Sequence, residues 1–290
     1  MIPENSTPHP KQTPEHHSGA KAAQRRGARK SGTLIAVGDV HGELEGLYRV
    51  LHYAGLINSR GRWAGGSMTL LQIGDVVDRG PRCHETNELL ARLQNEAPRH
   101  GGKVIRLLGN HELELIKRNF CLTTLQMHDA EHYRKRLVSD IAAGKVTAAF
   151  ADQDYLFTHA GLMPDVMKEL NKALGTQPPS PVAYAVLLNQ LLKTAAAEND
   201  FSHPIFNIGK SRGGRHRTGG IFWEDFRNLS DAPSAPGLLQ IVGHTPLNKI
   251  VSLKNGALIG IDTGLFRGYG GIPSYIRLKR GKIKTFYLPR

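Results

Sequence analysis

From Thr33 onward the chain alternates between two apolar patterns. Short unbroken apolar runs, TLIAV (33–37), MTLLQI (68–73), VIRLL (104–108), YLFT (155–158) and LLQIV (238–242), read as strands buried on both faces. Between the first three runs lie segments with helical spacing. Leu44, Leu47, Tyr48, Leu51 and Ala54 recur on one helical face, Leu89, Leu90 and Leu93 on another, and a third helix is expected from about Glu112. Residues 120–200 read as mainly helical, through Leu137 and Ile141 and then Val182, Val186, Leu187 and Leu191. After Lys249 the pattern turns to short strands separated by turns, IVSL, ALIGI, SYIRL and IKTFYL. This succession predicts an α/β fold on a mostly parallel sheet covered by helices, with the closing strands suggesting a second sheet packed on the first.

Residues 1–31 lack that patterning. They are rich in Pro, His, Lys and Ser without hydrophobic periodicity, which predicts a disordered basic arm ahead of one domain over 32–290, elaborated at about 120–150 and 163–220. A content of 40% hydrophobic and 22% charged residues fits an ordinary globular domain. The formal net charge of +13 invites an anionic partner, nucleic acid included. Its placement weakens that reading: residues 1–30 carry six basic against two acidic groups, and the last fourteen residues carry six basic and none acidic. Such runs at a tail and a closing strand pair read as solvated surface, so a nucleic-acid partner is not expected. Cys83 and Cys121 lack metal-ligand spacing and predict a reducing compartment without a disulfide framework. No apolar run reaches the roughly 18–20 residues of a membrane span, and no secretory leader pattern opens the chain. A cytoplasmic location without a membrane partner is therefore expected.

Each of the first five strand runs ends in a short polar segment containing glycine: GDVHG (38–42), GDVVDRG (74–80), GNHE (109–112), HAG (159–161) and GHTP (243–246). Sites in open α/β sheets form outside the carboxyl ends of strands, so the five segments are expected to converge on one edge. Asp39, His41, Asp75, Asn110, His159 and His244 offer carboxylate, imidazole and amide oxygen without thiolate. That donor set suits Mn, Fe or Zn, and a carboxylate can bridge two such ions about 3.5–4 Å apart around a phosphoryl group. Any one of these segments alone reads as a turn, and a lone His as a hydrogen-bonded core residue. Their conjunction after five apolar strands carries the metal reading.

In that order the five segments resemble the calcineurin-like metallophosphoesterases, and GDVVDRG with GNHE resembles their phosphoprotein-phosphatase branch. RWAGG (62–66), HAGLMPD (159–165) and IDTG (261–264) are most similar to the bacterial-type Shewanella-like phosphatases. The resemblance covers roughly residues 33–280 and implies a four-layer αββα sandwich of two mixed sheets with a helical elaboration. It implies that Asp39, His41 and Asp75 hold a first divalent cation and that Asp75, Asn110, His159 and His244 hold a second. It further implies attack by a hydroxide held between the metals, His111 as general acid oriented by Asp78, and Arg79 (with Asn110) at the substrate phosphate. The lowered pKa of water at a metal, a His proton donor and a guanidinium fork suit that chemistry independently.

The sequence departs from the family in two respects. A second phosphate-binding arginine is expected in the FWEDFRNL segment, where Arg227 is available, but Arg212, Arg215 and Arg217 of the Gly-rich basic loop 209–220 compete for the role. Eukaryotic members present an acidic groove, whereas this chain is basic. The expected activity is phosphomonoester hydrolysis on phosphorylated Ser, Thr or Tyr of proteins or on small phosphoesters. The rivals are a dinucleoside-polyphosphate (diadenosine tetraphosphate) hydrolase and a non-catalytic nucleic-acid-binding protein on the same fold.

Overall fold

The computed structural model describes residues 32–123, 127–152, 154–234 and 237–289, so the expected arm at 1–31 lies outside the described residues. In chain order the elements are β1 (Leu34–Val37), α1 (Leu44–Tyr53), β2 (Thr69–Gln72), α2 (Cys83–Glu96), β3 (Lys103–Leu107) and α3 (Asn110–Ile116). They continue with α4 (Met127–Ala142), β4 (Val146–Thr147), β5 (Ala149–Asp152), β6 (Tyr155–Thr158), α5 (Pro164–Leu174) and α6 (Pro181–Glu198). The last are α7 (Phe226–Asp231), β7 (Leu239–Val242), β8 (Val251–Leu253), β9 (Leu258–Gly260), β10 (Ser274–Lys279) and β11 (Lys282–Tyr287).

Two mixed sheets pack face to face. The first has the order β11-β10-β1-β2-β3-β4 and the second β5-β6-β7-β9-β8. β1, β2, β3 and β4 run parallel, as do β6, β7 and β9, while β5, β8, β10 and β11 pair antiparallel. The closing strands therefore divide: β8 and β9 join the second sheet, but β10 returns to β1 in the first, with Ala36 opposite Ile276. The second sheet begins much earlier than the closing strands suggested, at β5 and β6.

Strand alternation builds the layers. Leu34 and Ala36 of β1, Leu71 of β2 and Ile105 of β3 point between the sheets to meet Phe157, Ile241 and Ile259. Ile35, Val37, Leu70 and Val104 point outward onto Leu47, Leu51, Leu90 and Leu93 of α1 and α2, and Leu156 meets Tyr184 and Leu188 of α6 on the far side. The result is helix, sheet, sheet, helix.

Residues 120–200 are not wholly helical: β4, β5 and β6 interrupt them. Ala148 is the crossing from one sheet to the other, since β4 ends at Thr147 beside β3 and β5 starts at Ala149 beside β6. Asn189 of α6 holds the crossing. Its Oδ1 accepts from Ala148 N and Ala149 N at 2.9 Å, and its Nδ2 donates to Ala149 O at 3.1 Å. The face expected for α6 is also rotated. Val182 and Val186 are 59% and 65% exposed, and Tyr184, Ala185, Leu188 and Leu192 are buried instead. An apolar helix such as PVAYAVLLNQLLKTAAA gives no sharp stripe, so packing decides its face. Among the described residues no helix is long and apolar enough to cross a membrane.

Candidate active site

The five polar segments follow β1, β2, β3, β6 and β7, and they meet at the carboxyl ends of two sheets rather than along one. Cross-sheet hydrogen bonds fix the meeting. His244 N donates to both oxygens of Asp39 at 3.1 Å, and His159 Nδ1 lies 3.0 Å from Ile73 O. The turns are tight. His41, Asp75, Asp78, Arg79 and His244 all have positive φ, between 50° and 71°, a conformation that costs non-glycine residues energy and clusters at functional sites. Gly109 is obligatory beside them, because a Cβ there would sit 2.1 Å from Asp75 Oδ1.

The donor atoms themselves indicate what belongs between them. A carbonyl only accepts, so His41 Nδ1, 3.0 Å from Val77 O, and His159 Nδ1 carry protons and each ring presents a bare Nε2. His159 Nε2 then lies 3.0 Å from Asn110 Oδ1, 3.2 Å from His244 Nδ1 and 3.5 Å from Asp75 Oδ2. These electron-pair donors face one another with at most a single proton to share. His244 Nε2 is buried without a partner among the described residues. Burial also holds His244 well below the usual imidazole range, as it does His41, lowered to about 4. Ring nitrogens and oxygens that converge as electron-pair donors, with at most one hydrogen between them, fit a divalent cation. Ligand atoms of Asp75, His159 and His244 lie within 4.8 Å of one another, and so do those of His41, Asp75 and His111. Asp75 is common to both groups. In the second group His111 stands with His41 and Asp75; Asp39, expected there, lies outside that group and accepts from His244 N.

Asp75 is held ionised. Burial pushes it up, but the positive charge available on His159, His111 and His41 when protonated, with the His159 hydrogen bond, more than offsets this and leaves it well below the usual carboxylate range. Asp39 is pushed the other way, by burial and then by the charges of Asp262 and Asp75. Beside the cluster, Asp78 Oδ2 lies 2.7 Å from His111 Nδ1, and His111 Nε2 lies 3.2 Å from Arg79 Nη2. Burial disfavours the His111 imidazolium, yet Asp75 and Asp78 raise its pKa above the ordinary value.

Three contributors carried no role in the sequence reading. Glu112 is buried in α3, and its carboxylate accepts from the backbone N–H groups of Asp75, Val76, Val77 and Gly109 at 2.8–3.0 Å, which shapes the loop bearing Asp75 to Arg79. The fourth letter of GNHE was its only signal. Asp262 of IDTG is buried, pushed up to about 6 chiefly by burial, and has an unpartnered Oδ2. Tyr269 lies with its ring 5.3 Å from the Arg79 guanidinium. A cavity of about 280 Å³ opens over the site, and Arg79, His111, Arg212, Trp223 and Tyr269 are among its walls. Arg212 reaches it from the Gly-rich loop, held by Thr245 Oγ1 at 2.7 Å and Asp225 at 2.9 Å. Arg227, the residue expected there, is exposed on α7 and is not part of the wall.

Residues 32–259 match the calcineurin-like phosphoesterase family. The chain is 30% identical over 292 residues to Shewanella-like protein phosphatase 1 of Plasmodium berghei, covering 89% of this chain and 75% of that protein. A stretch of 91 residues is 44% identical to Shewanella-like protein phosphatase 2 of Arabidopsis thaliana; it covers 31% of this chain and spans 23% of that relative's length. The crystal structure of a cold-active protein-tyrosine phosphatase from a psychrophilic Shewanella species superposes with a TM-score of 0.64 at 19% identity, covering 89% of this chain and 80% of that one, and shares the fold. The chain belongs to the calcineurin-like phosphoesterase family, whose members are metal-dependent hydrolases of phosphate esters.

Proposed function

From its membership of the calcineurin-like phosphoesterase family, we propose that this chain is a phosphomonoesterase acting on phosphorylated protein side chains, with small phosphoesters as accessory substrates. The observation that carries the reading is the His111 imidazole, 2.7 Å from Asp78 and 3.2 Å from Arg79, at the edge of the Asp75-centred donor cluster. Asp39, His41 and Asp75 would hold one divalent cation and Asp75, Asn110, His159 and His244 the other, and the donor set fits Mn, Fe or Zn. When bound, such cations supply Lewis acidity to the phosphoryl oxygens and lower the pKa of water toward about 7.

The chain's own residues do the rest. Asp78 accepts from His111 Nδ1–H and, with Asp75, raises the pKa of the ring, which favours a proton on Nε2 at the cavity wall. That proton goes to the departing ester oxygen of Ser, Thr or Tyr. Arg79 and Arg212, which both line the cavity, offer guanidinium donors to the phosphate, and Arg212 takes the second-arginine role in this reading. Trp223 Nε1, buried and unpartnered, adds an indole N–H on the same side. Arg79 in turn rests on the Tyr269 ring.

His111→Asn tests the assignment. With Mn²⁺ present, turnover of p-nitrophenyl phosphate is expected to fall about 10²–10⁴-fold while the number of bound metal ions is unchanged. Retained turnover in that variant removes His111 from the acid role. Inert wild-type protein with two bound metals, active on diadenosine tetraphosphate, replaces the monoesterase reading with a polyphosphate one.

A further inference from the structure

The loop 209–220, GKSRGGRHRTGG, carries four Lys or Arg and no acidic residue. It is a closed ring: Gly209 bridges to His216, Lys210 N donates to His216 O at 2.9 Å, and Gly214 N donates to Gly209 O at 3.0 Å. Gly214 is needed for the closure, since a Cβ there would lie 2.0 Å from Ile208 O. The ring is tied to the domain at several points. Asn228 Nδ2 donates to Ser211 Oγ at 3.1 Å, Gly219 N donates to the buried Glu224 at 2.8 Å, and Arg212 pairs with Asp225 at 2.9 Å. Because Arg212 also lines the catalytic cavity, the ring sits at its rim.

The cations of the 209–220 loop are unequally engaged. Arg212 is consumed by the cavity wall. Arg217 meets Asp165 at 3.0 Å, but the two side chains are 84% and 58% exposed, and such a pair holds weakly. Lys210 and Arg215 are exposed, and neither side chain makes an ion pair or hydrogen bond among the described residues. They stand two and three residues from Arg212, a span of at most about 7–11 Å of chain, within reach of groups flanking a bound phosphate. The ring contains no Phe, Tyr or Trp on which a nucleobase would stack, which favours a peptide over a single-stranded nucleic acid.

We propose that the ring Gly209–His216 reads the substrate, selecting phosphopeptides with acidic residues beside the phosphorylated one. This rests on the phosphomonoesterase reading above. A preordered ring adds no ordering cost to binding, and its exposed charges act mainly on encounter and affinity rather than on the chemical step.

The test is the ratio of kcat/KM for two phosphopeptides that share the phosphorylated residue and differ in flanks, Asp/Glu in one and Lys/Arg in the other. Wild type loaded with Mn²⁺ is expected to favour the acidic peptide about tenfold at low salt, mostly through KM, and the preference should shrink as NaCl screens it. In the double variant Lys210→Ala/Arg215→Ala the ratio is expected to fall about fivefold. A ratio compares two substrates of one preparation, so partial misfolding does not mimic the effect. A wild-type ratio near one, or an undiminished ratio in the double variant, overturns the proposal. So does turnover of diadenosine tetraphosphate with neither peptide cleaved, since the ring then reads a different anion. Failure to hydrolyse even p-nitrophenyl phosphate instead brings down the phosphatase reading, and the selectivity with it.

Discussion

Two regions lie between the same pair of sheets and obey opposite rules. In the middle, Leu34, Ala36, Ile73, Phe157 and Ile241 form an apolar layer in which nearly every side chain is fully buried. At the carboxyl edge the same inward alternation continues, from Ile73 to Asp75 and from Phe157 to His159, but the side chains become ionisable without becoming exposed. Burial pushes Asp39 up and His244 down, Asp262 is pushed up to about 6, and positive φ is concentrated in these turns. The apolar half stabilises the fold, and the polar edge holds positive-φ turns and buried ionisable groups whose cost the rest of the fold offsets. A rigid sandwich is what allows the edge to hold that arrangement.

The sharpest way to break this contrast is Asp75→Asn. We expect metal content to fall and turnover of p-nitrophenyl phosphate to drop more than about 10³-fold. The urea midpoint in EDTA should fall by less than in the core variant below, because a carboxylate held below its usual range favours the folded chain while ionised, whereas the neutral amide relieves the repulsion on Asp39 and Glu112. An apo stability loss as large as that of the core variant would mean that Asp75 is also a structural residue. Phe157→Ala, two positions earlier on the strand, should do the reverse. It is expected to lower the unfolding free energy by about 3–5 kcal/mol while the folded fraction still binds metal, as urea unfolding and metal analysis would show.

Glu112 stands between the two regions. Glu112→Gln replaces an acceptor with a donor against backbone N–H groups, and is expected to cost about 1–3 kcal/mol of stability and to weaken metal affinity about 10–100-fold. An equilibrium metal titration alongside urea unfolding checks both. The smallest effects concern the arginines. Arg212→Ala should raise KM about tenfold, whereas Arg227→Ala should leave kcat/KM within about twofold. Equal effects at both positions would return Arg227 to the site.

The strands and their chemistry were legible along the chain because each is a local pattern. The apolar runs at 33–37, 68–73, 104–108, 155–158 and 238–242 each overlap a strand, and the polar segments after them hold the residues that meet at the edge. The short β4 and β5 were not legible, since KVTAAFAD is too brief to separate from the helical stretch before it. The buried face of α6 escaped because the helix is apolar almost all round, and Asn189 gave no local hint of its grip on the sheet crossing.

By itself, then, the sequence determined which residue types stand at the ends of strands, the α/β class and the metal-binding chemistry those donors permit. Tertiary structure alone decided that the five segments come from two sheets, that Asp75 is shared by two donor groups, and that Arg212 rather than Arg227 enters the cavity. The division has one physical reason. Backbone period and residue chemistry act within a few residues, whereas strand partnership and loop closure depend on pairings such as β10 with β1 and Gly209 with His216, whose register is set by contacts between segments rather than within them.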